Sequence, residues 1–237
     1  MTAHIGIVAC TAEGASLCYR TIVHEGAAHL GTYGHPEVSL HTHSLAEYMK
    51  HIDRDDWQGV GELMLSSAHK LAKAGADFLI CPDNTIHQSL PFIESRSPLP
   101  WLHIAEVVAN QAKEHGYRRL GLTGTQWLVE SDVYPQKLTA VGLEYVRPPL
   151  EQRREISRRI MTELVHGEFK PATVAFFQQV ISDLKEQGCD AVVLGCTEIP
   201  LIINDENSSL PTLDSTRLLA RAALARAVAA RQNESAS

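Results

Sequence analysis

Short apolar runs alternate with longer amphipathic stretches along the chain. Residues 4–10, 78–81, 119–123 and 191–194 are apolar, too short for helices, and bounded by glycine or small polar residues, which predicts buried strands. Residues 56–75 carry Trp57, Val60, Leu63, Met64, Leu71 and Ala74 at three- and four-residue intervals, which predicts a helix stopped at Gly75. After the first strand, TAEGAS reads as a small-residue turn before a helix over residues 15–25. Shorter strands are expected at 37–41, 101–104, 143–146 and 211–213. Further helices are expected after 104 through His115, after the GTQ turn that follows residue 123, over 151–166 and over 171–187. Asp214-Ser215-Thr216 reads as a cap for a last helix ending near Ala230, followed by a frayed RQNESAS tail. Strand and helix in alternation imply an α/β fold with mainly parallel sheets. The elements fall into two series, which predicts two similar lobes, 1–98 with 210–237 and 99–209.

The two series share a template. GADFLICPDNT at 75–85 and GCDAVVLGCTE at 188–198 superpose at an offset of 113 residues. Gly75 meets Gly188, Asp77 meets Asp190, an apolar run follows in each, and Asp83 meets Cys196. Each copy reads as a turn, a buried strand, and small polar residues opening a helix. Ligands of parallel α/β folds collect at the carboxyl ends of strands. Two equivalent ends, one bearing a carboxylate and the other a thiol, therefore suggest a pseudo-symmetric site.

Composition narrows the partners. Lys and Arg number 21 against 28 Asp and Glu, a net charge of −7, which argues against nucleic acid and anionic membranes but not against a small acidic substrate. Arg153, Arg154, Arg158 and Arg159 fall on an expected helix and read as a solvated face. MTAHIGIVAC lacks a basic leader segment and reads directly as a strand, and no apolar run approaches the ~20 residues of a membrane helix. Five cysteines, three of them in or beside apolar runs, suit a reducing cytoplasm better than a disulfide framework. No cysteine–histidine spacing suggests a metal site.

Cys196, in GCTEIP, stands at an expected strand–helix turn, where backbone N–H groups favour thiolate. Cys10, Cys18 and Cys189 read instead as small buried hydrophobes. Asp83 has two roles open to it, a helix cap or a catalytic carboxylate opposite Cys196. Asn84, Thr85 and Thr197 flank the two groups and offer hydroxyl, amide and backbone N–H donors to a substrate carboxylate.

Seven motifs occur in order: IGIVACTAEGAS, HPEVSL, GADFLICPDNTIH, GLTGTQWLVES, HGEFK, GCDAVVLGCTEIP and LPTLDST. Together they resemble the aspartate/glutamate racemase superfamily over nearly the whole chain. The resemblance implies paired α/β lobes with the site in the cleft between them, chemistry without a cofactor, a small carboxylate substrate and a homodimer. Cys196 matches the second catalytic cysteine of that family, and Asp83 stands where the first would be. Asn84, Thr85 and Thr197 match substrate-carboxylate ligands, and Lys170 in HGEFK matches a lysine that binds a distal carboxylate. Thr11, Thr125 and Glu198 complete the expected substrate-binding set. The opening turn, Ala9–Glu13, and Ile52 depart from the family's substrate contacts, and Cys81 lies two residues before the family's cysteine position.

Racemisation takes a proton from one face of Cα and returns one to the other. An unshifted Asp, pKa ~3.9 against ~8.5 for Cys, is a weaker base by about 6 kcal/mol, a gap that burial can largely close. The first expectation is therefore an amino-acid racemase acting on a small acidic substrate through Asp83 and Cys196. The alternatives are a related cofactor-free lyase or isomerase, of the arylmalonate decarboxylase, hydantoin racemase or maleate isomerase type, and a non-catalytic binder of small acids.

Overall fold

A computed structural model describes residues 2–235, with side chains through 230. The chain divides into two compact units, Met1–Ile104 with Thr216–Ser237, and Ala105–Ser215. Each unit is built on its own four-stranded sheet.

In the first unit the sheet order is β2-β1-β3-β4, from β1 (Ile5–Ala9), β2 (Val38–Thr42), β3 (Phe78–Ile80) and β4 (Trp101–Leu102). All pairs are parallel, with Ile7 opposite both Leu40 and Ile80. The helices are α1 (Ala12–Leu30), α2 (Leu45–Ile52), α3 (Trp57–Lys73) and the single turn α4 (Leu90–Ile93). In the second unit the order is β6-β5-β7-β8, from β5 (Arg119–Thr123), β6 (Glu144–Val146), β7 (Ala191–Leu194) and β8 (Thr212–Asp214), again all parallel. Around it lie α5 (Ile104–Glu114), α6 (Gln126–Glu130), α7 (Val133–Ala140), α8 (Leu150–Thr162) and α9 (Pro171–Glu186). The last helix, α10 (Ser215–Ser235), carries the chain back into the first unit. Its backbone runs five residues past the expected end at Ala230; the final two residues of the RQNESAS tail lie outside the described residues.

Three local departures from the sequence reading have physical causes. TAEGAS is not a turn: Thr11 caps α1, its hydroxyl accepting the Gly14 N–H at 3.4 Å, so the helix opens three residues early. The eight-residue α2 escaped notice because a helix this short shows its period only at Tyr48 and Ile52, the two residues it buries. The segments after Asp83 and Cys196 open as 3-10 turns, Thr85–Ser89 and Ile199–Leu201, rather than as α-helices.

The repeated template has a structural reading at its polar start. Gly75 and Gly188 both take left-handed φ, 93° and 84°, closing the preceding helices. Two residues on, Asp77 accepts the His4 N–H at 2.7 Å and returns its own N–H to the His4 carbonyl at 2.9 Å. Asp190 accepts the Arg118 and Arg119 N–H groups at 2.7 and 3.1 Å and donates to the Arg119 carbonyl at 2.9 Å. In both units the aspartate staples the start of the third strand in sequence to the start of the first. Asp190→Ala should destabilise by about 1 kcal/mol, the net worth of a partly exposed hydrogen bond. A urea midpoint that falls at unchanged slope is the expected result; an unmoved midpoint would leave the staple without energetic weight.

Candidate active site

Parallel pairing of β1 with β3, and of β5 with β7, brings the carboxyl ends of neighbouring strands together within each unit. In the first unit these ends carry Cys10 and Thr11 after β1, and Cys81 through Thr85 after β3. Thr11 is held by its capping bond in α1. Asp83 is half-buried, and its Oδ1 accepts the Thr85 N–H at 3.1 Å and the Ile86 N–H at 3.4 Å. One carboxylate oxygen therefore caps the 3-10 turn. Asn84 is buried at 3 % exposure. Thr85 is half-buried, and its carbonyl accepts from Gln88 at 3.2 Å.

Beneath this turn lies a buried layer. The Cys81 thiol donates to the Asp83 carbonyl at 3.8 Å. Burial, and then the Asp83 charge, push that thiol well above its ordinary range, so Cys81 is a protonated packing group. Tyr48 is fully buried, and burial first, then Cys81, Cys10 and Asp83, hold its phenol far above the ordinary tyrosine range. The Ser67 hydroxyl beside the Tyr48 hydroxyl opposes part of that shift. Ser67 gives its proton to the Leu63 carbonyl at 3.2 Å and pairs with His41 Nδ1 at 2.9 Å.

In the second unit Gly195 and Cys196 follow β7. A Cβ on Gly195 would stand 2.5 Å from the Thr123 carbonyl oxygen and 2.7 Å from Leu128 Cδ2, so only glycine lets the two strand ends approach. Cys196 is half-buried, whereas the other four cysteines are buried. Its thiol donates to Glu198 Oε2 at 2.8 Å, and the Thr197 hydroxyl donates to the same oxygen at 2.8 Å. Glu198 is only 3 % exposed. The expected helix N-terminus is here a three-residue 3-10 turn, and the thiol bonds a carboxylate. A buried carboxylate in hydrogen-bond reach can take and return a thiol proton without intervening water.

Thr125 is the second unit's counterpart of Thr11. It follows the first strand of its sheet, caps α6, and accepts the Leu128 N–H at 3.3 Å. The Ser215 hydroxyl donates to the Leu194 carbonyl at 2.9 Å and so anchors the end of β7 two residues before the thiol. Lys170 stands at the cap position of α9, exposed, with Nζ 2.8 Å from the Glu168 carboxylate. Of the arginines expected to form a solvated face, Arg154 and Arg158 are exposed and pair with Glu151 and Glu155, whereas Arg153 and Arg159 are half-buried: Arg153 pairs with Glu130, and Arg159 pairs with Glu155, lies over the Phe176 ring and donates to Thr173 at 2.9 Å. Among the described residues no group of three or more His, Cys, Asp or Glu is placed to hold a metal ion.

Sequence reasoning missed Tyr48, the thiol–carboxylate bond and His87. The bond was visible only as a C-x-E spacing. His87 follows Asp83 by four residues, which returns its ring over the Asp83 carbonyl at 2.7 Å.

Each of the two parallel α/β units carries a polar turn with an ionisable side chain after its third strand, Asp83 in one and Cys196 in the other. The model of the Asp/Glu/Hydantoin racemase family matches residues 7–223, and the chain belongs to that family. Its fold matches a candidate Asp/Glu racemase from Yersinia pestis with a TM-score of 0.88 at 31 % identity, over 95 % of this chain and 99 % of that one. It also matches an aspartate racemase homologue from Pyrococcus horikoshii OT3, with a TM-score of 0.83 at 27 % identity, over 96 % and 99 % of the two chains. The broad specificity amino-acid racemase RacX of Bacillus subtilis is 24 % identical over 170 residues, 72 % of each chain. No helix among the described residues is long and apolar enough to cross a membrane.

Gly195→Ala should destabilise the chain by about 1–3 kcal/mol, because the added methyl cannot fit between two strand ends without displacing one. Denaturant unfolding reads this directly, and parental stability would mean that the ends separate freely.

Proposed function

We propose that this protein is a cofactor-independent racemase of small amino acids, with Cys196 and Asp83 exchanging the Cα proton. The observation that carries the reading is the Cys196–Glu198 hydrogen bond of 2.8 Å at the end of β7, in a chain of the racemase family. A half-buried thiol faces solvent or substrate on one side and a buried proton acceptor on the other. Glu198 takes the thiol proton when Cys196 acts as base and returns it when Cys196 acts as acid.

In this reading the Asp83 carboxylate serves the other face of Cα while its Oδ1 holds the turn. Asn84, Thr85 and Thr197, with Thr11 and Thr125, supply the donors that hold the substrate carboxylate and stabilise the carbanion-like state. Lys170 takes a distal carboxylate when its bond to Glu168 exchanges for substrate. The relatives extend the range of candidates, because RacX is a broad specificity amino-acid racemase. A small acidic amino acid remains the first substrate to test.

The capping bonds on Asp83 favour one second reading. Two N–H donors on Oδ1 make this carboxylate a weaker base than a thiol in the same place, because both bonds stabilise its ionised form. Cys196 would then act alone, delivering a proton to one face, as in a cofactor-free lyase.

Cys196→Ser should lower Cα–H exchange in deuterium oxide by ~10²–10⁴-fold, the range for removing a general acid–base. The melting temperature should stay near the parent's, since serine is nearly isosteric. A panel of L- and D-amino acids and small dicarboxylates followed by NMR measures the effect, and retained exchange would eliminate the thiol mechanism. Asp83→Cys restores two thiols and should gain exchange in both directions on an acidic amino acid, while losing activity on the native substrate. Activity unchanged on either enantiomer would leave Asp83 as a helix cap.

A further inference from the structure

We infer that His87 is a positioning residue, which locks the Asp83 turn through a single neutral tautomer. The inference rests on the proposed role of Asp83 but stands on separate geometry. His87 is buried at 1 % exposure in the 3-10 turn Thr85–Ser89. Its Nε2 lies 3.3 Å from the backbone nitrogen of Ile104, the first residue of α5. A backbone N–H can only donate, so Nε2 accepts and carries no hydrogen. In the neutral ring the proton is then on Nδ1, which lies 2.7 Å from the Asp83 carbonyl oxygen and donates to it. The His103 ring packs against His87, with centroids 4.7 Å apart and planes tilted by 59°. It limits rotation of the imidazole.

Each bond answers a specific need. The Ile104 N–H is one of the donors that a helix start leaves without an intrahelical partner. The Asp83 carbonyl belongs to a turn whose backbone direction aims the carboxylate. Asp83 also receives the Thr85 and Ile86 N–H groups on Oδ1, so the residue is held through its side chain by the turn and through its carbonyl by the imidazole. A second side chain secures the same turn, since Gln88 donates to the Thr85 carbonyl at 3.2 Å. His87 is thus the element that converts a capped turn into a fixed aim for the Asp83 carboxylate.

Asparagine and glutamine separate the two bonds. The Asn amide nitrogen sits where Nδ1 sits and keeps the donor to Asp83. The Gln amide oxygen reaches where Nε2 sits and keeps the acceptor for Ile104. His87→Gln should lower kcat for Cα exchange at least tenfold with KM within about threefold, and His87→Asn should recover most of that loss, although both variants melt at similar temperatures. Amide hydrogen exchange at Thr85 and Ile86 gives a readout that needs no substrate: protection should fall in His87→Gln and persist in His87→Asn. Equal protection in parent and both variants overturns the inference, as does a kcat loss that follows melting temperature alone. Protection that follows the donor, in a protein that exchanges no substrate, would support the positioning role and sink the racemase reading.

Discussion

Parallel pairing of two central strands in each unit, β1 with β3 and β5 with β7, is the constraint on which the rest depends. Strands that run the same way must end at the same edge, and each carboxyl end then needs a turn that satisfies its own backbone. Here the turns are met by short polar side chains and by glycine. Thr11 and Thr125 cap the helices after β1 and β5. Asp83 caps its own turn, and Gly195 permits the approach of β5 to β7. The candidate catalytic groups are therefore set by backbone demands first and by chemistry second.

The two units answer these demands differently, and the difference is chemical. In the first, a carboxylate at the strand end is bound by backbone N–H groups above buried thiols and a buried phenol. In the second, a thiol at the strand end is bound by a buried carboxylate. A thiol and a carboxylate lie near both ends, but the Cys81 thiol bonds the Asp83 backbone carbonyl while the Cys196 thiol bonds the Glu198 carboxylate.

The internal repeat was legible because its parts have separate, local causes. Glycine stops a helix, aspartate staples a strand start, an apolar run fills a sheet, and polar residues follow. The structure shows that Asp77 and Asp190, inside the template, serve the sheet rather than the site. It also shows that the turn after Cys196, only Ile199–Leu201, is too short to carry a helix dipole.

The sequence by itself determined the fold class, the two series, the family resemblance and the strand ends where ionisable residues collect, because these follow from periodicity and from residues near one another in the chain. Tertiary structure alone decided which groups meet. Tyr48 reaches the Cys81 and Asp83 layer from a helix too short to announce itself. His87 joins Asp83 to Ile104, 17 residues further on, and Ser215 fixes the end of β7 from 21 residues away. Such bonds depend on how a chain closes on itself in space, and no pattern of neighbouring residues encodes that closure.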